Sequence, residues 1–197
     1  MPHKVQPLPF DKALDGISKK TIEIHHDKLY AGYVAKRNEV EEKISDADAT
    51  AANQVYSVYR GLKEGETFAA NGMILHEVHF SNLGGNGDPA GTKVHDAIVK
   101  TWGNWDAFVN AITATGMAAR GWAILAFDPS DTKLHLYSAD AQNQGGVWGC
   151  TPLLCLDVYE HAYFIDVGSD RKTYIGNFLK NVHWQEVDRR YRLVAGR

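Results

Sequence analysis

One stretch of the sequence places a carboxylate and an imidazole four residues apart, at Asp157 and His161. Asp157 closes the apolar run 151–156, which has the length and composition of a buried strand. Polar groups at that depth need partners. The pair fits two interpretations, an ordinary hydrogen-bonded pair or two ligands of a metal ion, and its spacing alone does not decide between them.

Further histidines lie on predicted helix faces that also carry aromatic residues. His25, Leu29 and Tyr33 recur at i, i+4 and i+8, so an imidazole and a phenol would share one face about 12 Å apart. His76 lies on the apolar stripe of another predicted helix, four residues before Phe80. A lone inward histidine is most often a satisfied core residue. Three imidazoles and one carboxylate together could form the shell of a redox metal.

The elements that would position the first histidines are all helical. Ser18 is suited to cap a helix that contains the first of them. A second helical piece is predicted over 46–61, with Val55 and Val58 facing inward. A third is predicted over 66–83. The first half of the chain is therefore predicted to be helical throughout.

The glycine-rich run 84–91 interrupts this pattern and is the predicted domain boundary. Beyond it the periodicity changes from helical to alternating and back again. The predicted elements are helices over 93–102 and 105–119, strands over 122–127 and 133–138, a strand ending at Asp157, and helices over 173–182 and 184–192. The five residues between the first two strands suit an antiparallel hairpin, so the second half is predicted to be α+β.

Composition excludes several classes of function. With 197 residues, 44% of them hydrophobic, the chain can bury a sizeable core, and its net charge of −3 argues against nucleic-acid or membrane partners, which need a concentrated basic face. No apolar run approaches the ~18 residues of a membrane span, and residues 1–10 lack the apolar core of a signal peptide, so we expect a cytoplasmic protein. Cys150 and Cys155 are too few for a disulfide framework and are predicted to be small buried residues.

Several short runs of this sequence, including the one that holds Asp157 and His161, resemble the iron/manganese superoxide dismutase family. The most specific match is the run 157–163, Asp-Val-Tyr-Glu-His-Ala-Tyr. The segments 21–25 and 121–123, the arm 8–10 and the turn 102–105 agree with the family in the same order. The resemblance therefore extends over nearly the whole chain.

The resemblance implies a fold, an activity and a ligand set. It implies an α+β protein with an N-terminal helical hairpin domain over residues 1–85, then a C-terminal domain over 92–197 that has a three-stranded antiparallel sheet and flanking helices. It also implies a superoxide dismutase, which converts superoxide into dioxygen and hydrogen peroxide at one redox metal. Each domain would supply two of the four metal ligands, His25 and His76 from the first and Asp157 and His161 from the second.

Peroxide formation consumes two protons, so proton delivery matters as much as the ligands. The resemblance assigns this role to Tyr33 and Gln144. Gln144 corresponds to the glutamine that hydrogen-bonds the metal-bound solvent in manganese members, whereas Gly72 stands where many iron members carry that glutamine. These two positions favour one manganese ion per subunit, with iron as the second choice.

Other counterparts of family residues would surround the metal or lie at a subunit interface. Glu160 resembles a residue that reaches across a dimer to the partner's histidine ligand, so a homodimer or a larger homo-oligomer is expected. Trp122 would line the metal cavity. Arg171 would lie near the entrance for superoxide, where an overall acidic protein needs local positive potential to attract an anion.

The chain departs from the family at three positions. Leu29 replaces a histidine that hydrogen-bonds across the dimer to the tyrosine matching Tyr163, so Tyr163 needs another partner. Phe80 and Tyr159 replace two tryptophans of the cavity wall. The added hydroxyl of Tyr159 is expected to offer a hydrogen bond near Asp157.

Two other functions remain open at this point. A site of three histidines and one carboxylate could activate water if zinc filled it, which would make the protein a non-redox hydrolase. A divergent family member could also keep the metal only as a structural or binding element.

Overall fold

The first half of the chain is a pair of long antiparallel helical segments. The structure, a computed structural model, describes residues 1–196. The first segment consists of α1 (Lys19–Ile24), a wider-turn stretch (His25–Tyr30) and α2 (Ala31–Asp46), and the second is α3 (Val58–Ser81). The side chain of Ser18 accepts a hydrogen bond from the Thr21 backbone N–H, so the predicted cap is confirmed.

The prediction of a separate helix over 46–61 was wrong, because most of this stretch is the loop that joins α2 to α3. The side chains of Asp48 and Asn53 accept hydrogen bonds from backbone N–H groups two residues further on. Such local bonds favour turns over helix. Val55 and Val58 are 83% and 72% exposed, so they do not face inward.

The second half holds a three-stranded antiparallel sheet. Its strands are β1 (Trp122–Asp128), β2 (Lys133–Ala139) and β3 (Thr151–Asp157), in the order β2-β1-β3. The helices are α4 (Lys93–Trp102), α5 (Trp105–Ala118), α6 (Phe164–Val167), α7 (Arg171–Lys180) and α8 (Trp184–Ala195). The predicted fold class, a helical hairpin followed by an α+β unit, is confirmed.

The register of β1 against β3 fixes where the candidate ligand of the second half lies. Trp122 pairs with Asp157, so both residues stand at the same end of the sheet. The pairing shifts where Ala126 meets Pro152. β3 is an edge strand, and such an edge irregularity is where a proline, which has no N–H to donate, can be accommodated.

α3 joins the two halves by packing on one face of this sheet. The Asn82 side chain, which follows α3, donates to the Leu153 carbonyl and accepts from the Cys155 N–H. His79 Nδ1 lies 3.0 Å from the Cys155 carbonyl oxygen. The opposite face of the sheet forms the larger core with α4, α5, α7 and α8. Among residues 1–196, no helix is both long and apolar enough to cross a membrane.

Candidate metal centre

The structure brings the four predicted ligands together. Asp157 Oδ2 lies 3.1 Å from His25 Nε2, 3.6 Å from His76 Nε2 and 3.2 Å from His161 Nε2. One ligand atom from each residue lies within 4.8 Å of all the others. The set combines two residues from the helical hairpin with two from the end of the sheet.

His25 begins the wider-turn stretch of the first helical segment. Within it the Ala31 N–H reaches the carbonyl of His26, five residues back. Such π-type turns insert one extra residue and occur frequently at functional sites. The insertion alters the predicted stripe of His25, Leu29 and Tyr33, because Tyr30 is 1% exposed whereas Leu29 is only half-buried.

His76 has one ring nitrogen engaged and one without a partner. Its Nδ1 donates to the Gly72 carbonyl over 2.6 Å, which leaves Nε2 with a free lone pair. That Nε2 is buried and has no hydrogen-bond partner. Buried polar atoms are almost always paired. An unpaired imidazole nitrogen that faces three other ligand atoms fits a metal ion at this point.

The protonation states of Asp157, His25 and His76 also suit a metal. Burial alone would raise the pKa of Asp157, but hydrogen bonds from His161 and His25 outweigh it and hold this pKa well below its ordinary value. Burial lowers the pKa of His25, and it lowers the pKa of His76 to about 3. Near neutral pH the carboxylate is therefore ionised and these two imidazoles are neutral, as metal binding requires.

Gln142, not Gln144, provides the amide next to Tyr33. Gln142 Nε2 donates to the Tyr33 hydroxyl over 3.1 Å, and its Oε1 accepts from Trp122 Nε1 over 2.9 Å. Gln142 is buried, whereas Gln144 is exposed because a tight turn pairs its N–H with the Ala141 carbonyl. The structure thus places Gln142, two residues before the predicted Gln144, beside Tyr33.

Gly72 leaves the space that the Tyr33 ring occupies. A Cβ atom at position 72 would lie 2.4 Å from Cδ1 of Tyr33, far inside van der Waals contact. No side chain fits there while Tyr33 keeps its position. The amide that contacts Tyr33 is therefore supplied by the loop between β2 and β3.

Aromatic rings pack around the predicted metal ligands. Trp122 meets the His76 ring edge to face with centroids 5.1 Å apart, and Phe80 meets His25 in the same way at 5.0 Å. The Tyr159 ring stacks on His161 at 5.4 Å. The expected hydrogen bond from Tyr159 to Asp157 comes from its backbone N–H, at 2.9 Å, and its hydroxyl points instead toward the Asp140 carbonyl.

Arg171 is the partner of Tyr163 within the same chain. Its Nε donates to the Tyr163 hydroxyl over 3.1 Å, and its Nη1 donates to the Ala119 carbonyl over 2.7 Å. The buried phenol is thus satisfied although position 29 is leucine. Arg171 also borders a surface pocket of about 550 Å³ beside His161, together with Arg120 and Glu160.

Two family models match the chain. The alpha-hairpin domain of the iron/manganese superoxide dismutases matches residues 2–84, and their C-terminal domain matches residues 89–190. The chain belongs to the iron/manganese superoxide dismutase family.

Curated relatives of the family align over nearly the full chain. "Superoxide dismutase [Fe]" of Aquifex aeolicus is 43% identical over 96% of this chain and 92% of its own. "Superoxide dismutase [Fe]" of Cupriavidus metallidurans is 34% identical over 97% of both chains. "Superoxide dismutase [Mn] 1" of Halobacterium salinarum is 31% identical over 99% of this chain and 98% of its own.

Sequence reasoning missed two further residues at this family site. His79 is buried, and its ring centroid lies 5.1 Å from that of His25. Its spacing of three residues from His76 on an amphipathic helix was the available signal. Tyr30 donates to Glu77 Oε1 and accepts from the backbone N–H of Gln6, so it ties the N-terminal arm to α3. No local pattern indicates that contact.

Proposed function

We propose that this chain is a superoxide dismutase that converts superoxide into dioxygen and hydrogen peroxide at one iron or manganese ion. The ion would be held by His25, His76, Asp157 and His161, two ligands from each of the proposed domains 1–85 and 92–197. The observation that carries the proposal is the unpartnered, buried Nε2 of His76, which faces the other three ligand atoms. When bound, the metal supplies one-electron oxidation of one superoxide and one-electron reduction of the next.

Tyr33 and Gln142 are the proposed proton-delivery groups. The Tyr33 oxygen accepts from Gln142, so its own proton is free for a group in the cavity beside His76, whose ring centroid lies 5.1 Å away. Burial raises the pKa of Tyr33, although the Gln142 hydrogen bond opposes this shift. The phenol therefore keeps its proton at neutral pH and can donate it to the developing peroxide.

Trp122 and the aromatic wall keep this proton path ordered. The Trp122 indole is fully buried and donates to Gln142, so the amide oxygen is engaged and its N–H group must point at Tyr33. Phe80 and Tyr159 cover His25 and His161 with apolar rings. These rings limit water around the ligands, which strengthens electrostatic interactions inside the cavity.

Superoxide is proposed to approach through the pocket beside His161. Arg120 and Arg171 border it, and Glu160 is the acidic residue on its wall. Two cations against one anion give local positive potential on a chain whose net charge is −3. Such a local field raises the rate at which an anionic substrate arrives.

We further propose a homodimer in which Glu160 of each copy lies beside His161 of the other, at the edge of this pocket. Glu160 is exposed next to His161, whose side chain keeps 27% of its surface accessible. An acidic group supplied by a second copy would pair with the imidazole N–H that a metal-bound ring leaves available. The partner's carboxylate would then orient the ligand.

Two observations bear on the choice of metal. One relative named for iron is 43% identical and another is 34% identical, whereas two of those named for manganese are 31% and 33% identical. The glutamine at Tyr33 comes from the β2–β3 loop, which is the arrangement that the sequence resemblance connects with manganese. We propose iron as the preferred metal because the identity extends over the whole chain and the glutamine is a single position.

Reconstitution of the metal-free protein separately with iron, manganese and zinc tests the proposal. The iron form should turn over superoxide fastest, the manganese form should be slower, and the zinc form should be inactive because Zn²⁺ has no accessible redox change. Turnover by the manganese form alone would overturn the choice of iron. No turnover by either redox metal would overturn the activity and leave a structural metal site or a hydrolase.

A further inference from the structure

His79 is a buried imidazole beside the metal ligands, and it is neither a predicted ligand nor part of the proposed proton path. It lies on α3, three residues after His76, and is 2% exposed. Its ring centroid lies 5.1 Å from that of His25, at an interplanar angle of 40°. Packing alone does not require an imidazole here, because an apolar ring would fill similar space without burying two nitrogen atoms. The polar ring therefore needs a reason beyond the filling of space.

The edge strand of the sheet holds one nitrogen of this ring. Because β3 is an edge strand, every second residue turns its backbone N–H and carbonyl away from β1. At Cys155 these groups meet side chains that follow one another along α3. The N–H donates to Asn82 Oδ1 over 3.0 Å, and the carbonyl accepts from His79 Nδ1, also over 3.0 Å. The imidazole is thus bonded to the strand whose last residue is Asp157.

Neighbouring aromatic rings fix the plane of the His79 ring. It stacks on Phe178 of α7, with centroids 5.4 Å apart and an interplanar angle of 18°. Phe80 meets it edge to face at 5.2 Å and also meets the His25 ring, at 5.0 Å. Both phenylalanines are buried. With one nitrogen bonded and its ring packed on two others, His79 is a rigid support for the His25 ring.

This one residue connects the elements that carry three of the four ligands. It belongs to α3, which carries His76, and its hydrogen bond goes to β3, which ends at Asp157. Its ring contact goes to His25, which stands where the first helical segment changes from α-type to wider turns. Groups behind a ligand orient that ligand and tune the affinity for the metal.

We propose that His79 is a positioning residue that holds the His25 ring in the orientation at which it binds the metal. The proposal rests on the proposed metal site, and it does not depend on turnover of superoxide. Without His79 the His25 ring can tilt, which changes the symmetry of the surroundings of the metal and weakens its binding. Changes behind a ligand typically cost 10–100-fold in metal affinity, so a loss of about 10-fold is expected.

Electron paramagnetic resonance of the iron-loaded protein tests the proposal, because the g values of high-spin Fe³⁺ depend on the arrangement of its ligands. His79→Leu removes both the ring and the Nδ1 donor. It should shift the g values and lower the iron affinity, measured by competition with a chelator, by about 10-fold. Unchanged g values and affinity in this variant would overturn the proposal.

Asn82→Leu is the matched control. It removes the hydrogen bonds of α3 to Leu153 and Cys155 on the same strand, and neither of these bonds involves a ligand. It should keep the wild-type g values even where its thermal midpoint falls as far as that of His79→Leu. An equal shift of the g values in both variants would overturn the proposal, because looser packing of α3 on the strand would then explain the effect.

A second variant covers the case in which His79→Leu does not fold. His79→Gln keeps a donor for the Cys155 carbonyl but lacks the ring against His25. Its g values should also differ from those of Asn82→Leu, and identical spectra for the two would overturn the proposal. Turnover by the wild-type protein decides the proposed activity, whereas the g values of the variants decide the role of His79, so the two proposals fail independently.

Discussion

α3 packs against two ends of one sheet face, and the two ends differ in composition. At the end where β1 pairs Trp122 with Asp157, the contact contains buried imidazoles and a buried carboxylate. At the end near Ala126 and Pro152, the contact opens into an uncharged, apolar pocket. The first end has a polar atom that lacks a partner, and the second has apolar surface that lacks a cover.

The difference shows what each end needs from outside the chain. Burial of the unpaired His76 nitrogen reduces the stability of the fold, because this atom loses its hydrogen bonds to water and forms none within the protein. A metal ion removes that cost and stabilises the fold by its binding free energy. An open apolar pocket costs less free energy than a buried polar atom without a partner. Changes at the metal end should therefore have the larger effects.

The largest effect is expected from removal of a ligand at the polar end. His161→Ala should lower metal affinity by at least ~100-fold and abolish turnover, because even changes in groups behind a ligand cost 10–100-fold. Metal content after dialysis measures this. His135→Ala, a partly exposed histidine at the far end of β2, should keep its metal. Full metal content in His161→Ala would remove it from the ligand set.

A change in the proton path should spare the metal and slow the reaction. Gln142→Leu should reduce turnover by roughly 10- to 100-fold at unchanged metal content, because Tyr33 loses its orienting donor. Gln144→Leu is the matched control, since this exposed amide lies two residues away and should have no effect. The reverse result would restore Gln144 as the functional residue.

These two glutamines also mark where sequence reasoning stops. Asp157 and His161 could be predicted because they lie in one short run with a distinctive order, and the caps and strands followed local rules. The choice between Gln142 and Gln144 could not, because both lie in a loop without periodicity and only the tertiary contact with Tyr33 and Trp122 distinguishes them.

Other features of the fold depend on contacts that no local pattern encodes. The extra residue in the turn from His25 to Tyr30 has no signature in the sequence, and it changes which side chain is buried. The pairing of Arg171 with Tyr163 forms only after the end of α5 has packed beside them. The stretch 46–61, most of which is a loop, was predicted to be a helix because Val55 and Val58 have helical spacing.

Lowering the pH should reduce the free energy of unfolding, because His79 is buried in its neutral form. Burial lowers the pKa of this histidine to about 3, whereas an unfolded histidine titrates near 6.5. Between these values the unfolded chain binds a proton that the folded chain does not, so the unfolding free energy falls as pH falls. Each such proton lowers the unfolding free energy by up to ~1.4 kcal/mol for every pH unit of acidification.

The His79→Gln variant isolates this contribution, because an amide can still donate to the Cys155 carbonyl and does not titrate. Chemical denaturation at a series of pH values between 3 and 6.5 should give a shallower slope for the variant than for the wild-type protein. His135→Gln serves as the surface control. Parallel slopes for the wild-type protein and His79→Gln would contradict a neutral buried His79.

A smaller effect is expected where the two halves of the hairpin touch beside the site. Gly72→Ala should destabilise the protein by about 1–3 kcal/mol and lower turnover, because the new methyl group meets the Tyr33 ring. Gly61→Ala, on the same helix with open space around it, should instead stabilise slightly. Thermal unfolding of both variants measures the contrast, and equal shifts would mean that Tyr33 can move away.

The central claim is that the four buried ligands form one redox-metal site that carries the reaction. The most direct measurement is superoxide turnover against iron plus manganese content, in preparations of the wild-type chain loaded to different extents. Turnover should rise in proportion to the content of these metals and reach its maximum at one ion per chain. Turnover that does not depend on their content, or that is greatest in the metal-free protein, would contradict the account.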